Sequence, residues 1–116
     1  MYGEFFTPDD EEVCDTIGEW PDSDENGTRI LTFQDTSGQS LMLSYHALER
    51  SVRVRWMNDQ GVELVDVFRE GATRLAFTPG KSTKSISIEF HMGECAGVMD
   101  IQVAPQLAIQ DRLLFQ

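Results

Sequence analysis

The chain has 116 residues, of which 41% are hydrophobic, 25% charged and 9% aromatic, and it carries a formal net charge of -11. That length suits one domain, here 1–116, able to bury a core without a metal or disulfide staple, and the hydrophobic content excludes wholesale disorder. No apolar run approaches the roughly 20 residues that cross a bilayer, no secretory signal is expected in the acidic first twelve residues, and the acidity disfavours nucleic acid and anionic membranes as partners.

The charge is unevenly placed. Residues 1–28 hold ten acids (Glu4, Asp9, Asp10, Glu11, Glu12, Asp15, Glu19, Asp22, Asp24 and Glu25) and no Lys or Arg. Residues 29–116 hold ten acids against nine bases, a net charge of -1. Such an asymmetry describes either a solvated tail or a docking surface for a cationic partner. Tyr2, Phe5, Phe6, Val13, Ile17 and Trp20 are interleaved with the acids, which argues against a purely solvating tail. Thr7-Pro8-Asp9-Asp10 reads as a helix start, with Thr7 as N-cap, Pro8 in the first helical position and acids in the first turn. Val13, Ile17 and Trp20 then form one stripe at spacings of four and three. Gly18 weakens the helix end and Trp20-Pro21 closes it. Residues 22–28 read as an exposed, turn-rich loop.

From Arg29 the period changes to two. Ile30 to Phe33 is a short apolar run ended by the turn sequence Gln34 to Gly38. Leu41, Leu43 and Tyr45 alternate with Ser40, Met42 and Ser44, and a turn is expected near His46 to Arg50. Val52, Val54 and Trp56 alternate with Arg53 and Arg55. Asn58 to Gly61 forms a hairpin loop into Val62 to Phe68, where both phases contain apolar residues and Asp66 stands among them. Arg69-Glu70-Gly71 breaks that strand, and Thr73 to Phe77 resumes it. Ile86, Ile88, Phe90 and Met92 alternate with polar residues, as do Met99, Ile101 and Val103 after a turn at Gly93 to Gly97. Pro105 to Asp111 reads as a further turn, and Leu113 to Phe115 as a last apolar stretch.

Seven or eight short strands with turns every 8–12 residues predict a mainly β fold (α+β at most): an antiparallel meander, sandwich or partly closed barrel carrying a short N-terminal acidic helix. The expected core is Leu41, Leu43, Val52, Val54, Trp56, Ile86, Ile88, Phe90, Ile101 and Val103. In the strand of Asp66 that residue needs a partner if both faces are covered, and an edge position or bulge explains it equally.

Chemistry-bearing residues are sparse. Cys14 and Cys95, 81 residues apart, read as two reduced thiols of a cytoplasmic protein, and no C-x-x-C occurs. Glu89 and His91 share a strand face near Glu94 and Cys95, but they occupy the polar phase and read as a solvated face rather than a metal or nucleophile site. Arg53 and Arg55 read as partners of Glu63 and Asp66 across a sheet. No catalytic signature appears, so the chain reads as a non-enzyme without cofactor or metal.

Two features carry a family resemblance: the Trp20-Pro21 junction leading from an acidic helix into an antiparallel meander, and the strand-break-strand segment from Asp66 through Gly71 to Leu75. With these the chain resembles the small acidic immunity proteins of bacterial toxin systems, which bind a cognate toxin and block its active or substrate-binding surface. Some such families follow Trp-Pro with Ser and a His-Asp pair, whereas Asp22-Ser23-Asp24-Glu25 stands here. The resemblance implies a bacterial, cytoplasmic toxin inhibitor whose partner is a basic toxin domain. On the charge layout, the residues expected to meet that partner are Glu12, Asp15, Glu19, Trp20, Asp22, Asp24 and Glu25. Two other readings stand beside it: a structural subunit that self-associates (the chain being a monomer or homodimer), and a β-barrel that holds a small apolar ligand.

Overall fold

The computed structural model describes residues 4–80 and 82–115. Helix α1 (Asp10–Ile17) is followed by β1 (Asp22–Ser23), β2 (Arg29–Gln34), β3 (Ser40–His46), β4 (Ser51–Met57), β5 (Glu63–Glu70), β6 (Ala72–Pro79), β7 (Lys84–Met92), β8 (Cys95–Ala104) and β9 (Ala108–Phe115). The strands form two open antiparallel meanders, β1-β2-β3-β4-β5 and β6-β7-β8-β9. The mainly antiparallel β fold with one short N-terminal acidic helix is therefore as expected, in the form of two packed sheets rather than a closed barrel.

Strand alternation decides what is buried. Leu31 and Phe33 of β2, Leu41, Leu43 and Tyr45 of β3, and Val52 and Val54 of β4 pack in one cluster with Leu75, Ile86, Ile88, Phe90, Met99, Ile101 and Val103 of the second sheet. Nine of the ten expected core residues are buried. Trp56 is only half-buried, because its indole N–H donates to Gln39 Oε1 at 2.7 Å and holds the ring toward the rim.

The chain passes from the first sheet to the second through one residue. Gly71 has φ +86, and a Cβ built there would lie 2.7 Å from Met92 Cγ and 3.2 Å from the His91 carbonyl oxygen. The ladders run on through this corner: Ala72 N donates to Arg50 O at 3.0 Å and His91 N to Gly71 O at 2.9 Å. A residue without a side chain meets both demands, left-handed backbone and close approach.

Several local expectations change. The helix N-cap is Asp9, whose carboxylate accepts from Glu12 N at 2.7 Å. Thr7 and Pro8 precede it because Phe6 is held to β6, its N–H donating to Thr73 O and its carbonyl accepting from Leu75 N, both at 2.9 Å. Trp20 leaves the predicted stripe: Gly18 ends the helix in the left-handed region, and Trp20 beyond it is 60% exposed. Only Val13 and Ile17 of that stripe enter the core, joined there by Phe5. The turn expected over Pro105 to Asp111 gives way to β9 from Ala108. The turn at Gly93 to Gly97 shrinks, since β8 starts at Cys95.

The second apolar phase of β5 lies on the outer face of its sheet, the face of Arg53, and meets solvent: Leu64 and Phe68 are more than half exposed. Asp66 finds its partner on β4, accepting from Arg53 Nε and Nη2 at 2.9 and 2.7 Å, and Arg55 pairs with Glu63 at 2.6 Å. Both bonds run diagonally, since Arg53 lies opposite Phe68 and Arg55 opposite Asp66. Cys14 and Cys95 are free thiols.

One ion pair joins the terminal strands of the two sheets. Arg69 of β5 holds Asp111 of β9 with two bonds of 2.8 and 2.6 Å, and its guanidinium lies 5.0 Å from the Phe90 ring centroid. Hydrogen bonding from Arg69 lowers the Asp111 pKa. That contribution to stability is complete above the unfolded value of about 4 and is lost as pH falls through the lower folded value. Asp111→Asn is therefore expected to lower the melting temperature at pH 7 and to flatten its decline below about pH 4; identical acid limbs in the two proteins would refute the latch. At the corner, Gly71→Ala should cost on the order of 3 kcal/mol, against about 1 kcal/mol for Gly61→Ala, where φ is +80 but no atom lies within 4 Å of the added carbon. Equal losses in denaturant melts would contradict the packing argument.

Candidate partner-binding site

Helix α1 lies against β6, and its pattern sorts its acids. With Val13 and Ile17 buried, a period of 3.6 turns Glu11 and Asp15 outward and leaves Glu12 on the flank. Glu12 thereby borders a groove with Phe6, Thr16, Arg74 and Phe77. Asp10, on the inward-leaning side, accepts from Arg29 Nε at 2.9 Å. After Gly18 the chain turns through Glu19 and Trp20 into the two-residue strand β1, whose Asp22 and Ser23 pair with Ile30 and Arg29.

The hairpin between β1 and β2 is organised by Asp24. Its carboxylate accepts from Asn26 N at 2.9 Å and Thr28 N at 3.0 Å. These amides, Thr28 foremost, hold its pKa below the usual carboxylate value against the cost of desolvation. Gly27 supplies the left-handed turn residue at φ +87, and His46 Nε2 bonds to the Asn26 carbonyl at 2.8 Å.

All seven expected partner-facing residues are exposed: Glu12 and Asp15 on α1, Glu19 and Trp20 in the connection, Asp22 on β1, and Asp24 and Glu25 in the hairpin. Of the ten acids, three have structural work: Asp9 caps the helix, Asp10 pairs with Arg29 and Asp24 ties the hairpin. The other seven, Glu4, Glu11, Glu12, Asp15, Glu19, Asp22 and Glu25, are exposed and in no ion pair among the described residues.

The β body carries both signs. Four of its arginines pair there, as Arg53–Asp66, Arg55–Glu63, Arg69–Asp111 and Arg112–Asp100, while exposed acids such as Glu49, Asp59 and Glu94 are in no ion pair among the described residues. Folding thus keeps the asymmetry of the sequence: the body presents both signs of charge, and residues 4–28 present acids alone.

The remaining candidates do not assemble. Glu89 and His91 are exposed on the outer phase of β7, as read, and no group of three or more His, Cys, Asp or Glu among the described residues is placed to hold a metal. The principal clefts are surface grooves, one of about 510 Å³ at the start of α1, not a chamber between the sheets. The described helix is too short and polar to cross a membrane. Sequence reasoning missed the Asp10–Arg29 pair and the Tyr45 hydroxyl beside it, because Tyr45 stands in the inward phase of β3 and reads as plain core.

An antiparallel two-sheet sandwich with an acidic helix is the class of fold these observations define. The chain matches no protein-family model and, by sequence, no curated protein. In structure it matches one chain of a contact-dependent growth inhibition toxin–immunity protein complex from Klebsiella pneumoniae 342, with a TM-score of 0.81 and 15% identity over 97% of each chain. The resemblance to toxin-immunity proteins is borne out at the level of the fold.

Because the unpaired acids repel one another in the free protein, neutralising them should not destabilise it. Thermal melts of an Asp15→Asn, Glu19→Gln, Glu25→Gln variant at low salt, whose acids lie outside the first helical turn, are expected at or above the wild-type midpoint. A fall of several degrees would mean that these carboxylates hold the fold.

Proposed function

We propose that this chain is an immunity-type inhibitor, a non-catalytic bacterial protein of the cytoplasm that neutralises a cationic toxin domain with its acidic N-terminal face. The observation that carries the reading is the set of seven exposed, unpaired acids around α1 and the β1–β2 hairpin, in a stretch of 28 residues with no Lys or Arg. Support comes also from the fold shared with a chain of a toxin–immunity complex. A field of one sign raises association rates with an oppositely charged protein, and Trp20, 60% exposed among the acids, has the character of a central anchor. Two free thiols suit a reducing compartment. In this reading Glu12, Asp15, Glu19 and Trp20 form the desolvated centre of the contact, and Asp22, Asp24 and Glu25 its rim.

A second reading, self-association, is favoured by the exposed Val62, Leu64 and Phe68 at β5 and Leu113, Leu114 and Phe115 on β9, since unpaired apolar strand edges invite pairing. Concentration-dependent elution in size exclusion supports that reading, and a constant monomer volume removes it.

The main test is binding kinetics against a purified cationic toxin domain, sought first in the reading frames beside the gene for this chain. Removing residues 1–25 is unsuitable, because Phe5, Val13 and Ile17 would leave the core. Point variants avoid this. Asp22→Asn with Glu25→Gln should slow association and flatten its salt dependence, whereas Trp20→Ala should speed dissociation and cost about 2 kcal/mol or more. If all these variants bind as the wild type does, the acidic face is not the interface.

A further inference from the structure

The cleft at the start of α1 is more than a stretch of acidic surface. Thr7, Asp9 and Asp10 from the helix start, Gly27 and Arg29 from the hairpin, and Tyr45 of β3 together line it. Tyr45 is 3% exposed, and its hydroxyl is buried with no hydrogen-bond partner among the described residues. A buried hydroxyl left unbonded costs free energy that a bound donor or acceptor recovers. The charges it feels are those of this cleft: burial first, then Asp10, push its pKa up to about 12 against the opposing effect of Arg29. It is therefore a neutral hydroxyl at physiological pH, able to accept a hydrogen bond.

Asp10 supplies a second acceptor. Its Oδ1 takes Arg29 Nε at 2.9 Å, and Oδ2 takes no bond from the described residues. Arg29 is the one cation lining the cleft, already engaged, while Asp9 and Asp10 line it and Glu11 stands next in the chain. The local field therefore favours a cation over an anion.

We infer that this cleft is a binding site for a basic side chain, a guanidinium or ammonium group of the protein partner, which donates to the Tyr45 hydroxyl and to Asp10 Oδ2. The inference rests on the acidic face being the docking surface, and gives that face a specific pocket. Its volume of about 510 Å³ leaves ample room for such a group, and the buried hydroxyl gives it a selectivity that exposed carboxylates lack.

The test is a titration followed by amide NMR, using ethylguanidinium chloride as the probe at constant ionic strength and inorganic phosphate as the contrasting one. The expected result is saturable shifts at Asp10, Gly27, Arg29 and Ala47 with ethylguanidinium only. Tyr45→Phe should weaken that binding about tenfold with an unchanged or raised melting temperature, since it deletes an unbonded group. Shifts spread over Glu11, Asp15, Glu19 and Asp22 and equal in Tyr45→Phe overturn the cleft while leaving the docking face intact. Cleft shifts with phosphate, or none with either probe, overturn it as well. Against the toxin domain, Tyr45→Phe binding as tightly as wild type, while Trp20→Ala binds weakly, refutes the cleft alone; loss of neither refutes the docking face too.

Discussion

The corner at Gly71 is the constraint on which the rest of the molecule depends. Strands β5 and β6 are separated by that single residue, so whatever fixes its backbone fixes the register of both sheets at once. The left-handed φ and the contact with Met92 and the His91 carbonyl leave no room for a side chain. On one side of the corner the β4–β5 ladder runs up to it; on the other, the β6–β7 ladder begins. The inner phases of both sheets then face each other, and Arg69, two residues before the corner, is placed over Phe90 and against Asp111. Helix α1 inherits its position from the same arrangement, because Phe6 pairs with the edge of β6.

This frame explains why an acidic segment with so much self-repulsion stays ordered on the body. Phe5, Val13 and Ile17 are buried, and burying side chains of this kind yields roughly 1.5–3 kcal/mol each, whereas charges exposed to solvent repel one another weakly and are screened by salt. Asp9, Asp10 and Asp24 convert part of the charge into local order by capping, pairing and turn formation. What is left over is charge held in place on a firm surface, the condition under which a field steers a partner and its acceptors need little reordering on contact.

The sheets were legible where alternation was clean. On β3, β4, β7 and β8 one phase is apolar and the other polar, and these strands lie inside their sheets. Strand β9 was not legible: at the end of its sheet, Asp111 in the inward phase serves as an ion-pair partner and Leu114 in the outward phase is exposed, so no period of two survives. Trp20 misled for a local reason, since the spacing continues a helix that Gly18 has already ended. The acidic face was readable by counting, because contiguous chain keeps its charge together whatever the fold. The Tyr45 cleft was not, since it joins the helix start, the hairpin and the end of β3, and only tertiary structure shows that the hydroxyl is left without a partner.

The central claim is that the stretch from α1 through the β1–β2 hairpin docks a cationic toxin domain. Amide hydrogen exchange of this chain, alone and in complex with that domain, tests it most directly, because it reports every strand and the helix in one experiment. The account predicts added protection over residues 10–29 and at Tyr45, with β5 and β9 unchanged. Protection confined to β5 and β9, with α1 and the hairpin exchanging as in the free protein, would contradict it.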